Sequence, residues 1–342
     1  MVCDQWLGSD GYAGMKALRR TGWSVEVAAE WEFVPVRWRT SIMRIVGRAV
    51  RAAAVREFNG HITARSRDLR PEMLLVFKGM FVRPETLDSI RRLGVRSYCF
   101  YPDISFRTHG PYLPAALPRY DWVFTTKSFG LNDLREQLGM TRASKINHAF
   151  DPDLHRPVCL THDDISRYRC DVSFIGTWSP KKERVLATLV SARPNLRVRV
   201  WGDQWNRAKA AGPLAKHIEG RAVVGAEYVR AIAASAINLG ILSEQRTGSS
   251  AGDLITSRTF STPACGGFLL HERTDEVLQI FVDGSSIVCY GSDTEMVARV
   301  DEFLATPARR HAIAECGRRV VEANHSWDTR IQEILAVHES LG

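Results

Sequence analysis

Short apolar runs, each with glycine, proline or polar turn residues close by, alternate with helix-length segments along this chain, and the pattern occurs twice over. In the first half the runs are 25–29, 73–77, 97–101, 122–125 and 145–149; after Pro157 they restart at 171–175, 197–201, 237–241, 267–270 and 287–290. Such short runs read as strands, and the segments between them supply the crossovers. Repeated strand–helix alternation therefore predicts an α/β chain of two doubly wound, Rossmann-like domains. A length of 342 residues fits two domains better than one core. The expected division is 1–155 and 156–325, with a polar linker near 151–169, and a closing helix over 326–342 with the option of crossing back to the first domain. Further helices are expected over 294–306 and 308–324, Pro307 fitting the first position of the second.

Two joined α/β domains leave a cleft faced by the carboxyl ends of both sheets, where ligands prefer to bind. Residues just after each run are thus the candidates. GSDGYAG (8–14), with Gly11, lets backbone approach a ligand ahead of a helix; only three residues precede it as a strand, so residues before Met1 are expected. Gly176 and Thr177 run into a Ser-Pro helix start carrying Lys182 and Arg184, a set of N–H groups, hydroxyls and cations suited to a diphosphate. Trp201 and Trp205 flank Gly-Asp-Gln and read equally as a wall for a base or as packing. Arg258 matches a bidentate oxygen pair, and Gly266-Gly267 reads equally as backbone facing a ligand or as a helix end and tight turn. In the first half Lys78, Asp103, Lys127, and His148 with Asp151 form a ring of polar groups at strand ends.

Composition excludes several classes. Cys3, Cys99, Cys159, Cys170, Cys265, Cys289 and Cys316 are odd in number and include no C-x-x-C pair, which argues against a disulfide framework or structural zinc. No apolar leader and no stretch of eighteen apolar residues occurs, so a cytoplasmic protein is expected. The net charge of +8 concentrates where Arg37, Arg39, Arg44, Arg48, Arg51, Arg56, Arg65 and Arg67 face a single acid, Glu57. Ile42, Ile45, Val46, Ala49 and Ala53 recur at helical spacing there, giving either a solvated face or peripheral contact with an anionic membrane through 37–56. Nucleic acid is not expected, since no recognition motif accompanies the charge. Nucleophile elbow, Walker loop and H-E-x-x-H are absent, and no metal or other cofactor is expected; helix N-termini and basic side chains would stabilise a departing diphosphate.

DVSFIGT (171–177), VWGDQW (200–205), RTFSTPACGGFLLHE (258–272) and HSWDTR (325–330) resemble the CgeB-like (spore maturation protein) glycosyltransferases, relatives of the large retaining family 4 group. FKG (77–79), YPD (101–103), Tyr120-Asp121 and FDPDLH (150–155) resemble the amino-terminal half of the same proteins. The resemblance implies a GT-B fold, a nucleotide-sugar donor held mainly by the carboxy-terminal domain, and a glycan, lipid-linked or small-molecule acceptor. It adds Ser261 and Glu272 to the donor side, with Gly11, Lys78 and Lys127 toward the acceptor. Asp103 and His148 are the bases to test if transfer inverts configuration; retention requires none. Ser261 stands where relatives have a glutamate expected to hold the donor ribose, which implies a hold weaker by about tenfold or more. A catalytically silent nucleotide-sugar-binding relative and a nucleotide-sugar epimerase remain as other classes.

Overall fold

The structure is a computed structural model that describes residues 1–33, 41–209 and 212–341, with 41–49 described by backbone alone. Two units divide it: Met1–Asn147, Gln245–Ala251 and Ile331–Gly342 form unit 1, and His148–Glu244 with Gly252–Arg330 form unit 2.

Unit 1 runs α1 (Asp10–Arg20), α2 (Glu30–Phe33), α3 (Ser41–Leu69), β1 (Met73–Phe77), α4 (Pro84–Arg92), β2 (Arg96–Tyr101), α5 (Leu113–Ala116), β3 (Trp122–Thr125), α6 (Ser128–Leu138) and β4 (Ala143–Lys145). The strands pair in parallel in the order β1-β2-β3-β4. Every residue of β1, MLLVF, is buried, as a strand covered on both faces requires. Two expected strands differ. The 25–29 run yields only a bridge from Ala28 to Val2, which also bridges Val76, and a single pair makes no ladder. The 145–149 run is split: Ala143–Lys145 pairs with β3, whereas residues from His148 onward belong to unit 2, where the Phe150 N–H donates to His325 O at 3.1 Å. On α3 the buried stripe is Ala54, Val55, Phe58 and Ile62, and Ala53, expected among the apolar residues, is exposed. Arg37 and Arg39, and the side chains of Arg44 and Arg48, lie outside the described residues, as do those of Ile42, Ile45, Val46 and Ala49.

Unit 2 runs α7 (His162–Tyr168), β5 (Cys170–Ile175), α8 (Pro180–Ala192), β6 (Val198–Trp201), α9 (Ala226–Ala233), β7 (Ser235–Gly240), α10 (Arg258–Ala264), β8 (Leu269–Glu272), α11 (Asp275–Leu278), β9 (Val288–Tyr290), α12 (Asp293–Ala305) and α13 (Pro307–Asn324). A last helix, α14 (Trp327–Ser340), begins in unit 2 and has its residues from Ile331 onward in unit 1. The sheet is parallel in the order β6-β5-β7-β8-β9. Val172, Phe174, Val200, Ile237, Leu239 and Leu270 project from these strands into one core with Leu186 and Leu189 of α8 and Phe303 of α12. All five runs expected in this half are strands, within two residues at each end.

His271 is fully buried on β8, its ring close against Gly240, where a Cβ would stand 2.5 Å from His271 Cδ2. Its Nδ1–H donates to Glu272 O at 2.6 Å and its Nε2 accepts the Thr259 hydroxyl at 3.0 Å, so the neutral ring is satisfied. Burial pulls its pKa from 6.5 to about 4. The unfolded chain therefore binds a proton that the native state refuses. Stability is full above pH 6.5 and falls toward pH 4 by on the order of 3 kcal/mol. Urea unfolding at pH 7 and 4.5 should show this slope and a flatter one in His271→Gln; equal slopes would remove His271 as its source.

Candidate functional site

In unit 2 the chain leaves β5 for β6 on one side and later returns to β7 on the other, so the crevice beyond the carboxyl ends of β5 and β7 is a topological switch point. Ser179 opens α8: its hydroxyl oxygen accepts the Lys182 N–H at 3.5 Å and its O–H donates to Glu244 Oε2 at 2.7 Å. Pro180 pre-sets the first turn. Lys182, with 4% exposure, turns back along its own helix and donates from Nζ to Thr177 O at 3.1 Å and Ser243 Oγ at 2.8 Å. Lys181 Nζ stands 2.6 Å from Glu272 Oε1, and Glu272 Oε2 accepts the Leu242 N–H at 3.1 Å. Two ammonium groups, hydroxyls and the N-terminus of a 13-residue helix thus meet at one strand end. This is the chemistry of an anion site flanked by carboxylates that can accept from hydroxyls.

The other residues expected on this side divide. Arg258 begins α10, lies over the Phe174 ring at 5.3 Å and donates to Ile241 O at 3.0 Å; burial lowers its pKa. Gly176 permits this, since a Cβ there would stand 2.9 Å from Arg258 Nη1. Ser261, 5% exposed, lies 2.8 Å from the Tyr228 hydroxyl. Gly266 and Gly267 follow the opposite end of α10 from Arg258, about 12 Å along the helix at 1.5 Å per residue. Gly266 (φ +76°) ends the helix, and a Cβ on Gly267 would press on Ile232 Cγ2 at 2.5 Å, so the pair serves close packing. Trp201, 1% exposed, is enclosed with Tyr168, Ile175 and Ile232, and Trp205, 3% exposed, donates from its indole to Gly176 O at 2.8 Å. Neither presents a free face, so the base-wall reading is corrected to packing. Arg184 points away along α8 to an ion pair with Asp293.

In unit 1 the sequence candidates do gather. Lys78, in left-handed backbone at φ +62°, places Nζ 3.1 Å from Asp103 Oδ2, with His109 Nε2 at 3.7 Å. Burial would raise the Asp103 pKa, but Lys78, His109 and Lys127 outweigh it and the carboxyl titrates below its usual value. Burial likewise opposes the Lys78 charge, and Asp103, Asp10 and Asp4 overcome it. Asp103 is thus a weak base, held as a counter-ion. Gly11 is no ligand loop: it lies inside α1, capped by Ser9, and a Cβ there would stand 2.5 Å from Cys3 Cβ. His148 is buried at the start of unit 2, so the two catalytic candidates fall in different units.

Several residues here stand outside the individual site residues expected from the sequence, although Lys181 lies in the 176–184 stretch and Asp151 in the polar ring already singled out. Glu30, at the start of α2, has burial pushing its pKa to about 7, with the Phe81 N–H donating to it at 3.3 Å. Ser243, Glu244 and Lys181 follow or neighbour strand ends already singled out, a signal that would have found them. The chain has one D-x-D run, Asp151-Pro152-Asp153, a pattern that binds cations elsewhere. Here Asp151 Oδ1 accepts the Asp153 N–H at 3.1 Å within a turn closed by His155.

Residues 181–336, which include the two lysines, Arg258, Ser261 and Glu272, match the model of the glycosyl transferase-like family. No curated protein matches the chain. Among solved structures, sucrose-phosphate synthase of Thermosynechococcus elongatus is similar with a TM-score of 0.66 at 12% identity, over 96% of this chain and 92% of that one. A glycosyltransferase of Rickettsia africae gives 0.65 at 11%, over 99% and 96%. HepE of Anabaena in complex with UDP-glucose gives 0.60 at 12%, over 94% and 88%. At these identities the likeness is one of fold, and the fold is GT-B: two parallel-sheet α/β domains of the kind glycosyltransferases use.

Proposed function

We propose that this chain is a glycosyltransferase that takes a sugar from a nucleoside-diphosphate donor, of the UDP class, held by unit 2. The Lys182 cradle carries the reading: a buried ammonium fixed by Thr177 O and Ser243 at the start of α8, within the segment that matches the glycosyltransferase model. HepE, bound to UDP-glucose on a similar fold, supports the uridine donor. On this reading the bond from the sugar to the diphosphate breaks as the acceptor hydroxyl oxygen joins the sugar carbon. Its proton passes to the departing phosphate, and Lys182 with the helix N-terminus holds the charge. Transfer is then retaining, metal-independent and without an enzymic base. The acceptor is assigned to the polar rim of unit 1 around Lys78, Asp103 and Lys127. The motifs favour the CgeB-like group and a role in surface polysaccharide or glycoconjugate synthesis. Among the described residues no helix is long and apolar enough to cross a membrane. The proposal places the protein in the cytoplasm, with peripheral membrane contact left to the basic stretch of α3.

Thermal unfolding with UDP, GDP, dTDP and ADP should show stabilisation by UDP, about 2.7 kcal/mol at a hundredfold excess over Kd. Ser261→Glu, which sets a carboxylate beside Tyr228, is expected to tighten UDP about tenfold. Stabilisation by none of the four nucleotides would count against the donor site; UDP binding without transfer to any acceptor would instead favour a silent relative.

A further inference from the structure

Helices α3 and α4 of unit 1 leave a groove of about 380 Å³ between them. Asn59, 5% exposed, ties its two walls together: its amide donates to Val55 O and Phe81 O, and its Oδ1 accepts the Arg83 N–H at 2.9 Å and the Thr86 hydroxyl at 2.7 Å. The α3 wall is small in the middle, at Gly60, Thr63 and Ala64, with Arg56 before and Arg67 after; Arg83, Glu85 and Ser89 line the other wall. Thr63 and Ser89 spend their protons inside the protein, on Asn59 O and Glu85 O. The side-chain donors a ligand would meet are therefore guanidinium groups. Among the described residues Arg56 and Arg67 are exposed and make no ion pair or hydrogen bond. Arg83 Nε stands 3.3 Å from Glu85 Oε2, the single carboxylate of the lining. Arg83 also holds the cap position of α4, where its side chain makes no capping bond, so the helix opens without that satisfaction of its first N–H groups. Gly60 is an independent sign. It lies in the middle of α3 in ordinary helical backbone, with nothing within 4 Å of an added Cβ. Neither backbone nor close packing asks for glycine there, and glycine weakens a helix. Its missing side chain keeps the groove open between the arginines.

We infer that this groove is a binding site for a phosphate ester, whose phosphate is taken by Arg56 and Arg83 at the start of α4 and whose organic part lies over Gly60 toward Arg67. Three guanidinium groups against one carboxylate suit an anion of charge two, and their planar forks match pairs of phosphate oxygens. Arg56 and Arg67 stand about 16 Å apart along α3 at 1.5 Å per residue. A bare phosphate would leave most of that length empty, which is why an ester is assigned. Two sources supply this chemistry, a soluble polyol phosphate and the headgroup of an anionic phospholipid. The arginine-rich stretch of α3 thus ends in a groove with fixed walls, and the inference stands apart from the donor site of unit 2.

The test titrates the full chain with glycerol 3-phosphate and, separately, sediments it with vesicles of phosphatidylcholine with and without phosphatidylglycerol, at constant ionic strength. Gly60→Gln fills the groove without changing charge or straining the helix, and should weaken binding about tenfold. Arg56→Gln should do the same by removing a donor, whereas Arg142→Gln, an equal loss of charge outside the groove, should change binding little. Groove-dependent binding of glycerol 3-phosphate assigns the site to a soluble ester; groove-dependent sedimentation with the anionic vesicles alone assigns it to the headgroup. If Gly60→Gln matches the parent in both arms, or if Arg142→Gln loses as much as Arg56→Gln, the inference is overturned and the arginines act only as diffuse charge. UDP binding is read in parallel and should be unchanged in Gly60→Gln, so that failure of the donor site and failure of the groove are told apart.

Discussion

Lys182→Met is expected to weaken UDP about tenfold to a hundredfold and to lower kcat/KM with the nucleotide sugar about a hundredfold or more. The ammonium donates to Thr177 O at 3.1 Å and Ser243 Oγ at 2.8 Å, which fixes it at the start of α8, where the proposed diphosphate would lie. Its worth is larger in the transition state, where negative charge gathers on the departing group. Lys181→Met provides the contrast, because that ammonium is already spent on Glu272 at 2.6 Å and sheds less on removal. Calorimetric titration of UDP into the three proteins reads the order. A Lys182→Met protein that unfolds at the normal temperature and binds UDP like the parent would move the donor elsewhere.

Gly202→Ala should cost about 3 kcal/mol or more. Gly202 has φ +143°, backbone an L side chain rarely adopts, and a Cβ would overlap Gly176 O and stand 2.5 Å from Gly176 C. Both atoms are main chain and cannot swing aside. Gly22→Ala isolates the backbone part of the cost. It has φ +91° and nothing within 4 Å of the added carbon, so roughly 1 kcal/mol is expected. Since Gly176 heads the loop that presents Lys182, the Gly202 variant should also bind UDP more weakly in proportion to the displaced loop. Chemical denaturation of both variants reads the difference, and comparable losses would locate the constraint in φ alone.

Much of the local structure of the proposed donor side was legible in the sequence. DVSFIGT followed by Ser-Pro-Lys-Lys announces a strand, a turn and a capped helix start within a dozen residues, and Ser179, Pro180 and Lys182 hold those places. These are local signals, decided by caps and periodicity. The two tryptophans of VWGDQW show the opposite case. Their spacing is the same whether they face a base or a core, and only the packing of Tyr168, Phe174 and Ile232 around them settles it. Gly11 misled for a related reason, because glycine serves a ligand loop and a close helix contact alike, and Cys3 decides which.

The sequence by itself determined the α/β class, the repeat of the pattern, all five strands of unit 2 and the capped start of α8, because each is written in neighbours a few residues apart. The tertiary structure alone decided which polar groups meet: Glu244 with Ser179, Glu272 with Lys181, and Lys78 with Asp103 and His109. It also decided that residues 245–251 belong with unit 1, where Ser105 donates to Thr247 O at 2.7 Å and Asp133 accepts the Ser250 N–H at 3.1 Å. Parallel sheets bring distant residues to one edge through their crossovers, so charge pairing and pKa depend on partners that no local window contains.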